Sequence, residues 1–156
     1  MSKFRRFRQL SANRKLMLLE AAALLPVAWF MVRALPFRWW SHRLGSSTPG
    51  ESDPRQHASV GASASASEIS RSVQIINRLA FGRFTCLMLA MAAQWMLNRR
   101  KISSSLVLGT LTERSDDDRL VMKAHAWLRV NAQTVLGHHN GRYTPITSYL
   151  RNYQEE

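Results

Sequence analysis

The hydrophobic period of this 156-residue chain changes once, near Lys101. Before that point apolar residues recur at helical spacing, as in Ile69, Val73, Ile76 and Ala80. Beyond it the stretches 104–111 and 121–130 read as strands. Helices followed by strands define an α+β order with an antiparallel sheet. Hydrophobic residues make up 46% of the chain, enough to build a core and to exclude global disorder.

Ser11 is placed to cap a helix over residues 12–35, with Pro26 as a kink or break and Pro36 as a stop. Residues 46–67 are rich in Ser, Gly, Ala and Pro without periodicity, which predicts a flexible linker or long loop. Ser65 and Glu68 form a capping-box pattern that opens a helix over 68–79. The sequence Phe81-Gly82-Arg83-Phe84 breaks it, and a central, mostly apolar helix follows from Thr85 or Cys86 to about 100. Asp116, Asp117 and Asp118 mark a turn, Asn131-Ala132 a tight hairpin turn into 133–137, and 143–149 a last short strand. Three regions result: a basic and apolar helical segment at 1–45, the linker at 46–67, and an α+β domain at 68–156.

Charge is concentrated at the N-terminus. The whole chain carries +12, of which residues 1–43 contribute +8 with Glu20 as their only acid. Such a balance points to acidic partners or an anionic surface. The apolar stretch 16–32 contains Glu20 and Pro26, and its longest uncharged run, 21–32, falls short of the roughly 20 residues a bilayer-spanning helix needs. No small-residue cleavage site follows it, so a signal peptide is not expected. Two roles fit: a helix packed on the rest of the protein, and a helix lying at a membrane surface with Trp29, Phe30, Phe37, Trp39 and Trp40 in the interface.

The sole cysteine, Cys86, excludes an intramolecular disulfide and an all-cysteine zinc site. It falls at the start of a helix, where unpaired backbone N–H groups favour negative charge on sulfur and could donate to an oxyanion. His125 lies mid-strand and is suited to take a proton from a thiol and return it to a leaving amine. A structural cysteine and a merely hydrogen-bonded histidine fit the same residues. A two-residue turn at Asn131-Ala132 pairs Val130 with Gln133 and, extended outward, sets His138 opposite His125. His138 is thus a candidate to orient His125, with His139, Asn140 and a backbone carbonyl as rivals; Asn131 shares the parity of His125 but sits six residues away. No metal site, cofactor motif or phosphate-binding loop is recognisable, and Arg99-Arg100-Lys101 needs only a helix C-terminus, not nucleic acid.

The ordered blocks Cys86-Leu87-Met88, Leu106-Val107-Leu108-Gly109, Ala124-His125-Ala126-Trp127 and Val135-Leu136-Gly137 resemble the lasso-peptide leader peptidases, the B proteins of lasso-peptide biosynthesis. These belong to the transglutaminase-like cysteine-protease superfamily. Arg142-Tyr143-Thr144-Pro145-Ile146 and the N-terminal Leu35-Pro36-Phe37 extend the resemblance. It implies a transglutaminase/papain-like core, with Cys86 on a helix as nucleophile and His125 on an antiparallel sheet as general base. It further implies a lasso precursor peptide as substrate, a separate leader-recognition protein, an ATP-dependent cyclase and a cytoplasmic setting, with no cofactor. The split form is expected because 1–45 does not read as a compact leader-binding fold. Some relatives carry an acid twelve residues after the histidine, where this chain has Gly137. The rival readings are an acyl transferase on the same fold and a non-catalytic, membrane-associated protein.

Overall fold

The computed structural model describes residues 3–54 and 60–153. A short helix α1 (Lys3–Arg8) leads into the long α2 (Ala12–Ala34). The Ser11 hydroxyl caps α2 by accepting from the Arg14 amide at 3.4 Å. Pro26 lies inside α2 without ending it. Both Pro26 and Ala22, whose carbonyl loses its donor, are on the exposed face, so the missing hydrogen bond opens to the outside and not into the core. Leu35 then turns extended ahead of Pro36, the conformation a residue before proline favours, and α2 stops. A helical turn α3 (Phe37–Trp40) and a 3-10 turn (Ser41–Leu44) follow, burying Trp40 and Leu44.

The described parts of 46–67 hold a strand and the start of a helix where composition suggests a linker. Ser46–Pro49 form an edge strand, β1, and α4 (Val60–Leu79) begins eight residues before the expected helix start at 68. The central part of the expected linker, 55–59, lies outside the described residues. Small residues such as Ala62 and Ala66 are buried in α4, so the Ser/Ala run reads as a linker only until its tertiary partners are known. Gly45 enters β1 at φ +124, with the Leu150 carbonyl where a Cβ would sit.

Thr85 caps α5 (Cys86–Arg99), its hydroxyl accepting from the Met88 amide at 3.5 Å. Strands β2 (Ser104–Arg114), β3 (Leu120–Val130), β4 (Gln133–Leu136) and β5 (Thr144–Arg151) complete an antiparallel sheet of order β1-β5-β2-β3-β4. Helices α2, α4 and α5 pack together on one face of this sheet. Their shared core runs from Met17, Ala21 and Leu25 of α2 through Ile69 and Val73 of α4 and Met91 and Met96 of α5 to Leu106 and Leu128. The N-terminal helix is therefore a wall of the core. Its carboxylate Glu20 is buried and paired with Arg100 at 2.8 Å and Arg99 at 3.2 Å.

Candidate active site

Strand alternation divides the residues around His125 between the two faces of the sheet. Ala126, Leu128 and Val130 belong to the core beneath the helices. His125, Trp127 and Arg129 alternate with them and point to the opposite face. There the loop 50–54 lies against the sheet. Glu51 accepts from the Trp127 indole N–H at 2.9 Å, Asp53 holds the Arg129 guanidinium at 2.6 Å, and the Ser52 amide donates to the Ser148 hydroxyl at 3.0 Å. Gly109, level with His125 on β2, has no room for a Cβ because the Trp127 ring would lie 2.6 Å from it.

Cys86 occupies the first turn of α5, half-buried and packed against the helix-side core. It opens on a cavity of about 390 Å³ walled by Phe37, Leu87, Leu108, Ala126 and Tyr149. The walls are almost wholly apolar. The amides of Cys86 and Leu87 open the helix, where backbone donors lack intrahelical acceptors and can stabilise an oxyanion. Phe37 packs edge-on to Trp40 at 4.8 Å and to Tyr149 at 6.3 Å, so the N-terminal segment supplies one wall of this cleft.

His125 also borders the cavity, between Ala124 and Ala126. Its imidazole, however, has its contacts on the far face, since none of its ring neighbours lines the cavity. Nε2 donates to the Gly137 carbonyl at 2.8 Å, and the ring lies 6.0 Å from Trp127, 4.9 Å from Tyr143 and 5.9 Å from His139. A carbonyl only accepts, so the neutral ring carries its proton on Nε2 and leaves Nδ1 as an acceptor. Among the described residues no hydrogen bond joins the Cys86 thiol to this ring. The strand backbone at Ala124–Ala126 stands between them.

The expected orienting side chains do not reach His125. His138 is exposed, because a register shift between Leu128 and Arg129 moves the pairing by one residue. Leu128 pairs with Leu136, and continuing that register sets His139, not His138, level with His125. Asn131 donates to the Ser63 hydroxyl at 3.1 Å and ties the hairpin turn to α4. Asn140 accepts from the Arg142 amide at 3.4 Å within its own loop. The backbone carbonyl, the least distinctive of the rivals, holds the ring. His139 closes the cluster with its ring 4.4 Å from Trp127, and burial, then the neighbouring His125, push its imidazole below the ordinary histidine range. Glu51 and Asp53 went unnoticed in the sequence because they fall within the apparent linker. Their signal is an acidic pair in a run whose only other charged residue is Arg55, and in the structure both contact Arg129 of β3. Among the described residues no group of three potential ligands could hold a metal ion.

A cysteine at a helix N-terminus packed on an antiparallel sheet, with a histidine on that sheet, is the scaffold of thiol-dependent acyl-transfer proteins. A family model for the transglutaminase-like superfamily matches residues 30–148, and the chain belongs to that superfamily, which includes cysteine peptidases and acyl transferases. The match begins within α2 and runs through the segment 46–67. No curated protein and no solved structure matches the chain.

Proposed function

We propose that this protein is a cysteine peptidase that removes the leader from a lasso-peptide precursor. The observation that carries the reading is the Cys86 thiol at the N-terminus of α5, opening on an apolar cleft. The resemblance of the Cys86, 106–109, 124–127 and 135–137 blocks to leader peptidases supplies the substrate. Cys86 attacks the carbonyl at the leader–core junction, the C–N bond breaks, and the core amine leaves with the proton taken from the thiol. Water then hydrolyses the thioester and releases the leader carboxylate. The resemblance gives His125 the general-base role; its strand borders the Cys86 cavity, while its ring is held on the far face by the Gly137 carbonyl.

The test is cleavage of a precursor peptide followed by mass spectrometry, with and without the recognition protein. Cleavage is expected to be slow with this chain alone and restored by the partner. Cys86→Ala is expected to abolish it, and His125→Ala to lower the rate roughly 10²-fold or more. Normal cleavage by Cys86→Ala overturns the mechanism. Products joined to an amine instead of hydrolysed place the protein among the acyl transferases. The separation of thiol and imidazole by the sheet favours a second reading, a non-catalytic binding protein that retains the scaffold. That reading predicts no cleavage under any pairing with the recognition protein.

A further inference from the structure

We infer that α2 docks in the plane of an anionic membrane surface through the face it turns away from the core. The exposed residues of α2 between Leu16 and Phe30 are all uncharged: Leu16 and Leu19 are 59% and 60% exposed, and Val27, Trp29 and Phe30 continue the surface. They recur three or four residues apart and so form one stripe, about 21 Å long at 1.5 Å per residue. Phe37 and Trp39, just past the end of the helix, are also exposed, at 45% and 58%. A contiguous apolar face of this kind marks an interface.

Charge identifies the occupant. Arg5, Arg6 and Arg8 are exposed at one end of the stripe and Arg33, Arg38 and Arg43 at the other. The only acid in residues 1–43, Glu20, is on the buried face and neutralised by Arg99 and Arg100. An apolar band between two clusters of arginine, with aromatic rings at the border, matches acyl chains beneath anionic headgroups. Although α2 as a whole, with Glu20 counted inside the window, has the length and hydropathy to cross a bilayer, its other face is committed to the core. Spanning would pull Met17, Ala21 and Leu25 out of the helix layer and break the Glu20 ion pairs. Trp40, expected in the interface on sequence, is buried and donates its indole N–H to the Leu35 carbonyl at 3.3 Å. Docking does not depend on the proposed reaction.

The full chain is mixed with vesicles of pure phosphatidylcholine, or of phosphatidylcholine with a quarter phosphatidylglycerol, and sedimented at low and high salt. Binding is expected on the anionic vesicles at low salt, weakened by salt and on neutral lipid. Replacing Leu19, Val27 and Phe30 together by Ser should lower partition roughly tenfold or more. Arg33→Gln and Arg38→Gln should each lower it roughly fivefold on anionic lipid only. Ala23→Trp, on the same exposed face, should raise partition, a gain that unfolding cannot mimic when the thermal transition is unchanged. No sedimentation with anionic vesicles at low salt overturns the inference. So does binding indifferent to the serine and tryptophan substitutions, which would be adsorption by charge alone. A dimer in light scattering that the serine variant dissociates, without vesicle binding, assigns the face to a second copy instead.

Discussion

Position 137 has no space for the acid that some leader peptidases carry there. Gly137 sits at φ +76, and a Cβ built on it would lie 2.6 Å from the Ala126 carbonyl and 3.0 Å from the Trp127 Cα. Gly82 has a similar φ of +69 but open space around it. Gly82→Ala should therefore cost about 1 kcal/mol, the left-handed penalty, while Gly137→Ala should cost about 1–3 kcal/mol more because backbone must move. Chemical denaturation of the two variants checks the difference; equal costs would mean the hairpin yields freely. His139 gives a second expectation. Its folded-state pKa is depressed, chiefly by burial, so on acidification the unfolded chain takes up the proton first. The stabilising contribution is present above pH 6.5, the ordinary histidine value, and is lost as pH falls through the lower folded value. The depressed carboxyls of Glu68 and Glu113 act only below 4.5, which leaves the window between to histidine. Thermal stability should drop across that window, and His139→Gln should flatten the drop. The hairpin itself was legible: Asn131 and Ala132 both take positive φ, 49° and 61°, as a tight two-residue turn requires. The register shift at Leu128/Arg129 was not, because a bulge has no sequence signature here, and it moved His138 off His125.

The long helix α2 shows what element-level pattern reveals and what it conceals. Its start at Ser11 and its stop before Pro36 follow from capping and proline sterics, and the helix carrying Cys86 was expected with its start at Thr85 or Cys86. β2 and β3 were expected over 104–111 and 121–130, within three residues of their observed ends, from the change of period after Lys101. The segment 46–67 was misread because its strand and helix draw on tertiary contacts, not propensity. Ser46–Pro49 gain order from pairing with β5, and 60–67 from packing small residues against neighbours. Glu20 was visible as an interruption of an apolar stretch, but its partners are eighty residues away. Arg100 donates from both terminal nitrogens to the carboxylate and from one to the Met96 carbonyl at 2.9 Å. Arg99 is 69% exposed, whereas Arg100 is 22% exposed. Removing Glu20 should cost roughly 2 kcal/mol, since hydrogen bonds to charged groups are stronger and a half-buried arginine is left unpaired. A double-mutant cycle should find the larger coupling with Arg100 and little with Arg99. Equal couplings would show that solvent screens both pairs alike.

At the scale of the whole molecule, the division into an N-terminal segment, a linker and a domain gives way to one core built across all three. Leu25, Ala28, Trp40 and Leu44 are buried, and the family match itself begins at residue 30. The same segment has opposite faces with different tasks: Met17, Ala21 and Leu25 close the core, while Leu16, Leu19 and Phe30 stay outside. Phe37 joins these tasks to the cleft at Cys86. Deleting residues 1–45 is therefore expected to destroy cooperative folding, and not merely to weaken surface association. Each large core side chain lost costs about 2–5 kcal/mol, and removing several exceeds the 5–15 kcal/mol that typically holds a domain together. Deleting only residues 1–9 should spare the fold, because among the described residues the buried positions of this region begin at Met17. Near-ultraviolet circular dichroism and the heat-capacity peak of both truncations decide the matter. A sharp unfolding transition in the chain lacking 1–45 would mean that α4, α5 and the sheet are sufficient alone, and that α2 is an appendage after all.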